Sequence, residues 1–289
     1  MESILSFFEE IPSSYRTIVL ASGLLLFWVV EGAVPLFRSS YPRFRHAAVN
    51  IVFTLTTMLV NFGLAFLIVM TADWVVATEL GAMQWLSPAQ IPLWLSVIVG
   101  IMILDLVGAW LVHWVQHNVR WMWRFHLIHH TDQHIDVTSA LRHHPIESVF
   151  RAAFTIIAVV AAGAPIAVVF IYQTVSALWS QFIHANFQLP KSLDRVLSWV
   201  LVTPDMHKVH HHYRQPYSDT NYGNIFSLWD HAFRTFAEVG NTTELIYGIE
   251  THMDEGGSDD VVNLMLIPFQ PYRERPESED DILMDSQRT

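Results

Sequence analysis

The runs of apolar residues constrain most strongly what this chain can fold into. Crossing the hydrocarbon core of a bilayer takes about 20 mainly apolar residues in a helix, since lipid offers no partner to an open backbone N–H or C=O. Ile18 to Phe37 meets this requirement, although Glu31, Gly32 and Pro35 interrupt its end. Ala47 to Val76 is longer and can tilt or run into the interface. Ile91 to about Val115 provides a third span. Ile146 to Gly163 and Ile166 to about Ile183 follow, separated by Ala164-Pro165. Proline restricts the residue before it and removes a backbone donor, so this pair reads as a tight helical hairpin. A hydrophobic content of 52% with 11 Trp fits the same class. The expected fold is an all-α, polytopic membrane bundle of four or five membrane helices. Met1 to Ser14 carries Glu2, Glu9 and Glu10 where a cleaved signal peptide needs a basic region, so no such peptide is expected.

Charge placement predicts the topology. Arg38, Arg43 and Arg45 follow the first span, Arg120, Arg124 and Arg142 the third, and Lys191 and Arg195 the hairpin. Thr78 to Gln90 and the Gly163 to Pro165 turn have neither Lys nor Arg. All basic loops then share one side, expected to be cytoplasmic, with the N-terminus outside. The chain divides into membrane helices over 1–90, a histidine-bearing region over 91–249 and an acidic tail over 250–289. That tail holds −8 of the formal net charge of −11 and is expected to be solvated and partly disordered. No basic groove for nucleic acid is visible. Leu189 to Phe236 is too long for a simple loop and reads as a cytosolic cap of short helices.

There is no cysteine, which excludes disulfides, iron–sulfur clusters, thiolate zinc sites and cysteine nucleophiles. Any metal must use nitrogen or oxygen ligands. Histidine is over-represented, its 16 copies equalling Lys plus Arg. Eight of them form three clusters: His113-x-x-x-His117, His126-x-x-His129-His130 and His207-x-x-His210-His211. Residues three and four apart share a helix face, so each cluster aims several imidazoles at one place. Eight imidazoles exceed the four ligands of an ordinary zinc site, and so many call for two ions. Sparse carboxylates disfavour calcium and magnesium, while imidazole suits iron, copper, nickel and zinc. Two redox-active irons can activate O2.

The order HxxxH, HxxHH, HxxHH between and after apolar spans resembles the fatty acid hydroxylase/sterol desaturase superfamily of membrane di-iron enzymes. The likeness extends to Trp110-x-x-His113, Trp123-Arg124-Phe125-His126, Thr138-x-x-x-Arg142-x-His144-Pro145-x-Glu147, His184-Ala185-Asn186, Asn221-Tyr222-Gly223-Asn224 and Trp229-Asp230, covering roughly residues 105–236. The resemblance implies that His113, His117, His126, His129, His130, His207, His210 and His211 are metal ligands. It adds His184 as a ninth and His144 as a further ligand or a partner of one. Where some relatives have another histidine, this chain has Gln188. His134, His143 and His212 adjoin the clusters and either line the site or face solvent, whereas His46, His231 and His252 are expected to be structural. Asp132, Asp136, Glu147, Asp205 and Asp230 are candidates to accept the outer ring N–H of a ligand, with helix capping or pairing to Arg124 or Arg142 as the alternative.

The resemblance further implies two iron ions, O2 as co-substrate and a lipid substrate (sterol, fatty acyl chain, alkylglycerol or carotenoid) entering from the bilayer. Oxygen insertion into an unactivated C–H bond gives a hydroxylated lipid; loss of a second hydrogen gives an alkene, and ether cleavage is a related outcome. Electrons are expected from a separate ferredoxin- or cytochrome b5-like protein with its reductase, and the location is expected to be a bacterial cytoplasmic membrane. Outside this class, a membrane metal-binding or transport protein and a bis-histidine haem protein are the competing readings. Gathering of the clusters on one side, without a polar path across the bilayer, argues against transport.

Overall fold

Among the described residues, five helices are long and apolar enough to cross a membrane. The computed structural model describes residues 1–37, 41–86, 91–254 and 257–274. A short α1 (Glu2–Glu10) precedes the candidate spans α2 (Ser13–Ala33), α3 (Arg43–Ala77) and α4 (Leu93–Asn118). After α5 (Arg120–His130), α6 (Pro145–Ala162) and α7 (Ile166–His184) complete the five. The cap comprises α8 (Lys191–Leu197), α9 (Pro204–His210) and α10 (Leu228–Phe233), and α11 (Val261–Leu266) follows near the end. The only β-type pairings among the described residues are the isolated bridges Leu201 with Phe226 and His212 with Tyr247. The all-α membrane bundle is therefore as expected, with five candidate spans.

The spans turn apolar side chains outward, such as Leu25, Leu59, Phe62 and Phe66, as surfaces facing lipid do. Inside, Ala72, Val75, Val97, Leu104, Ala158, Ala162 and Val168 form a core of mostly small residues that lets backbones approach closely. The predicted hairpin turn is present. Gly163 ends α6 in the left-handed region at φ 64°, and Pro165 caps α7. Gly163 also packs on Gly81, whose φ is 99°. A Cβ on Gly81 would lie 2.3 Å from the Gly163 backbone nitrogen, and one on Gly163 would lie 2.4 Å from the Leu80 carbonyl oxygen. This contact, with Gln84 Nε2 donating to the Gly163 carbonyl at 2.8 Å, closes the end of the bundle opposite the histidines.

The histidine end is held by buried acids that periodicity does not reveal. Glu31, noted from sequence only as an interruption, accepts from the backbone N–H of Val137 (2.9 Å) and of Asn186 (3.0 Å) and from Arg43 (2.7 Å). It thereby ties α2 to the chain leaving α7 and to the loop between α5 and α6. His46 on α3 lies between Asp132 (2.9 Å) and Asp136 (3.1 Å), and Asn50 donates to Thr138. Arg142, fully buried, donates to Ile128 O, Thr131 and Ser258 O. Asp105 accepts from the N–H groups of Ile225 and Phe226 and from Trp229 Nε1, fastening α4 to the cap. Directly after it, Leu106–Leu111 widens into a π-helical turn, which shifts the phase of the following residues, His113 and His117 among them.

One expectation is corrected here. The segment from Glu250 to Glu274 is not a solvated tail where it is described. Leu264 and Ile267 pack with Phe53, Trp123 and Ile128, and Arg124 donates to the Gln270 carbonyl. Its acids meet arginines of the body, Glu250 with Arg214, Asp259 with Arg45 and Glu274 with Arg120. Arg38, residues 255–256 and residues 275–289 lie outside the described residues.

Replacing Gly81 with Ala should destabilise the protein by roughly 1–3 kcal/mol, because the clash is with backbone and the φ is unfavourable for any Cβ. Thermal unfolding in detergent checks this; an unchanged midpoint would mean that the two turns do not touch.

Candidate metal centre

The clustered histidines fall into two groups. Adjacent residues point about 100° apart on a helix, so the closing pairs His129-His130 and His210-His211 are each divided: His130 goes with His126, and His211 with His207. The first group gathers His113, His117, His126, His130 and His210, and the second His129, His184, His207 and His211. Within each, one nitrogen from every ring lies within 4.8 Å of the others. Each HxxHH cluster is thus divided between both groups, two imidazoles to one and a single imidazole to the other.

Facing nitrogens come very close. His113 Nε2 is 3.0 Å from His126 Nε2, His184 Nε2 is 3.0 Å from His207 Nε2 and 3.2 Å from His129 Nε2, and His207 and His211 approach at 3.2 Å. The groups adjoin, with ring centroids of His130 and His211 4.8 Å apart and those of His126 and His129 5.3 Å apart. Buried nitrogens of His129, His130, His207, His210 and His211 have no hydrogen-bond partner among the described residues. A buried polar atom without a partner costs about 1–3 kcal/mol; the inward nitrogens are either unpartnered, as in His130 and His210 Nε2, or meet only other imidazoles, which points to a cation that they would bind.

The outer nitrogens explain the orientation of several rings. His113 Nδ1–H donates to Tyr222 O (2.8 Å), His210 to Thr220 O (2.7 Å) and His184 to Ser180 O (2.7 Å). The Nδ1 atoms of His117 and His126 face Asp219 (3.0 Å) and Glu147 (3.1 Å). Each such bond fixes the tautomer and leaves Nε2 with its lone pair inward. Burial, reinforced by the neighbouring imidazoles, holds His129, His130, His207, His210 and His211 well below the usual imidazole range, and holds His126 at about 4 despite Glu147. Neutral imidazole is the form that ligates a metal. Lys208, between two of these histidines, points away and donates to Ala185 O (2.9 Å) and Phe187 O (3.3 Å), locking α9 to the chain leaving α7.

A family model described as fatty acid hydroxylase matches residues 97–235, the stretch that carries all nine of these histidines. This part of the chain belongs to the fatty acid hydroxylase superfamily. Among curated relatives, ornithine lipid hydroxylase of Rhizobium tropici is 29% identical over 58% of this chain and 50% of its own length. Alkylglycerol monooxygenases of Xenopus tropicalis and Caenorhabditis elegans are 34% and 30% identical over 50% of this chain and 31% and 27% of theirs. The chain therefore spans half or less of the length of these relatives. No solved structure matches it.

Nine of the ten histidines singled out from sequence converge within this region. The tenth, His144, does not: it caps α6, accepting from the Ile146 N–H at 3.1 Å, and its ring sits beside Phe125 and Phe269. Gln188 donates to Asp205 (2.7 Å), outside both groups. His143 stacks on His129 at 4.5 Å and reaches Glu147, which also brings it beside His126. His134 stacks on Tyr41, and His231 bonds to Ser198 O. Of the five acids proposed to support ligands, only Glu147 does so. Asp132 and Asp136 serve His46, Asp205 takes Gln188, and Asp230 accepts from Trp110, Tyr222 N, Gly223 N and Thr235. Asp219 was missed, because it lies beyond any cluster and only the fold brings it to His117.

Replacing Asp219 with Ala should weaken metal binding by about 10-fold or more, read by chelator competition; unchanged affinity would remove Asp219 from the account. The metal-free protein should also be acid-sensitive. Folding holds the His126 pKa near 4, below about 6.5 for an unfolded imidazole, so the unfolded chain takes up the proton first. Its contribution is complete above about pH 6.5 and is lost as pH falls towards 4. Thermal midpoints of apoprotein across that window check the sign; a rise on acidification would contradict it.

Proposed function

We propose that the chain is an integral-membrane di-iron oxygenase that hydroxylates an unactivated C–H bond of a lipid, with O2 as co-substrate and electrons from a separate donor protein. The observation that carries this reading is the division of nine buried imidazoles into two adjoining groups, in a region of hydroxylase ancestry. The donor set fits iron: imidazole nitrogens without thiolate, held neutral by burial, whose inward nitrogens are unpartnered in His130 and His210 or meet only other imidazoles. His113, His117, His126, His130 and His210 would hold one ion, and His129, His184, His207 and His211 the other. Bound there, the pair would supply O2 activation, the step beyond the reach of side chains.

The remaining work falls to the chain. Glu147, Asp219 and the carbonyls of Ser180, Thr220 and Tyr222 orient the rings by holding their Nδ1 protons. The apolar spans exclude water and present the C–H bond of a bilayer lipid. The relatives are named for ornithine lipid and alkylglycerol, which favours a polar membrane lipid as substrate over a sterol or carotenoid. Basic loops on the histidine side support a cytoplasmic site, an outside N-terminus and access for a soluble ferredoxin- or cytochrome b5-like donor. A bacterial inner membrane fits this arrangement.

Lipidomics of cells expressing the protein under isotopically labelled O2 tests the reading. A lipid product carrying one labelled oxygen atom is expected, and it should fall to background in His129→Ala and His210→Ala, with iron content lowered, while His252→Ala should retain activity. An unlabelled alkene would make the protein a desaturase. Full activity and iron in both histidine variants would refute the ligand assignment.

A further inference from the structure

The C-terminal segment of Val261–Phe269 is apolar on two opposite sides. Leu264 and Ile267 are buried against Val49 and Phe53 of α3 and against Leu127 and Ile128 of α5. Val262, Leu266 and Phe269 point outward, exposed to 67%, 50% and 63%. A solvated acidic tail has no reason to keep such a face. The charges of the region lie before and after it, and three are matched with arginines of the body, Arg45, Arg120 and Arg214.

The position of the segment identifies what covers this face. Helix α3 has 35 residues, about 52 Å at 1.5 Å per residue, against a hydrocarbon core of about 30 Å. Its far end meets the α6–α7 turn, so its first turns, on the histidine side, stand at headgroup level. Val49 and Phe53 belong to that stretch, and the outward residues around them, Phe44, Ile51 and Leu55, are exposed apolar side chains continuous with the lipid-facing surface of α3. We propose that Val261–Phe269 lies in the bilayer interface on the histidine side, with Val262, Leu266 and Phe269 immersed among phospholipids as a monotopic anchor.

The anchor adjoins the metal centre. The Phe269 ring lies 5.9 Å from Phe125 and 6.2 Å from His144, and Phe125 packs on Phe150 at 5.7 Å. Phe125 directly precedes His126, so the segment packs against the same helix that carries His126, His129 and His130. The placement of the anchor depends only on packing and exposure, and holds whichever metal the histidines bind.

The chain has no cysteine, so single cysteines can be introduced and labelled with an environment-sensitive fluorophore. Val262→Cys, Leu266→Cys and Phe269→Cys are compared with Thr251→Cys in nanodiscs of phosphatidylcholine and phosphatidylglycerol. The first three should emit at shorter wavelength than the Thr251 label and be quenched by lipids bearing a nitroxide near the headgroup, with little quenching by aqueous iodide. The Thr251 label should show the reverse. Labels at 262, 266 and 269 that iodide quenches and nitroxide lipids do not would overturn the proposal, as would protection conferred only by a soluble partner. A Val262→Asp/Leu266→Asp pair, both on the outer face and so compatible with folding, should expose the label at 269 to iodide; unchanged lipid quenching there would equally contradict it.

Discussion

Nine imidazoles packed nitrogen to nitrogen in a dry interior are the constraint on which this structure depends. Unpaired buried nitrogens are unfavourable, and the inward Nε2 lone pairs of His113 and His126, 3.0 Å apart, repel one another. Such a cluster persists only if surrounding structure holds the rings and if something with positive charge completes it. The first condition is visible in the outer hydrogen bonds to carbonyls and carboxylates, in the π-helical turn of α4 and in Lys208, which locks α9 to the chain leaving α7. The second is why a pair of metal ions is the economical completion, and why the two HxxHH clusters are each shared between both groups.

The two groups are not equivalent. In the first, four of five rings have an outer partner, Tyr222 O, Asp219, Glu147 or Thr220 O. In the second, His184 is tied to Ser180 O, whereas the Nδ1 atoms of His129, His207 and His211 have no hydrogen-bond partner among the described residues. Outer partners stiffen a ligand and raise its basicity, so the second group is the softer one, with His143 stacked at its edge.

Much of this was legible in the sequence because it rests on local periodicity. Apolar runs gave the spans, Ala164-Pro165 gave the hairpin, and spacings of three and four gave the histidine faces. What could not be read depends on contacts between distant segments. Glu31 appeared as a flaw in a span, yet it accepts two backbone N–H groups from elsewhere. Asp219 and Asp105 carry no local pattern, since their partners are about 100 or more residues away in sequence. His144, expected from its motif position as a further ligand or a partner of one, lies outside both groups and caps α6, which begins at Pro145. The net charge over the C-terminal forty residues hides five apolar ones, Val261, Leu264, Met265, Ile267 and Tyr272, that pack as a unit against the body.

Mössbauer spectroscopy of protein purified from cells grown on isotopically enriched iron, with metal quantification on the same sample, decides whether the nine histidines hold a pair of irons. The expected result is about two irons per chain in an exchange-coupled pair with nitrogen-rich coordination. One isolated iron, a haem spectrum or stoichiometric zinc in fully active protein would contradict it.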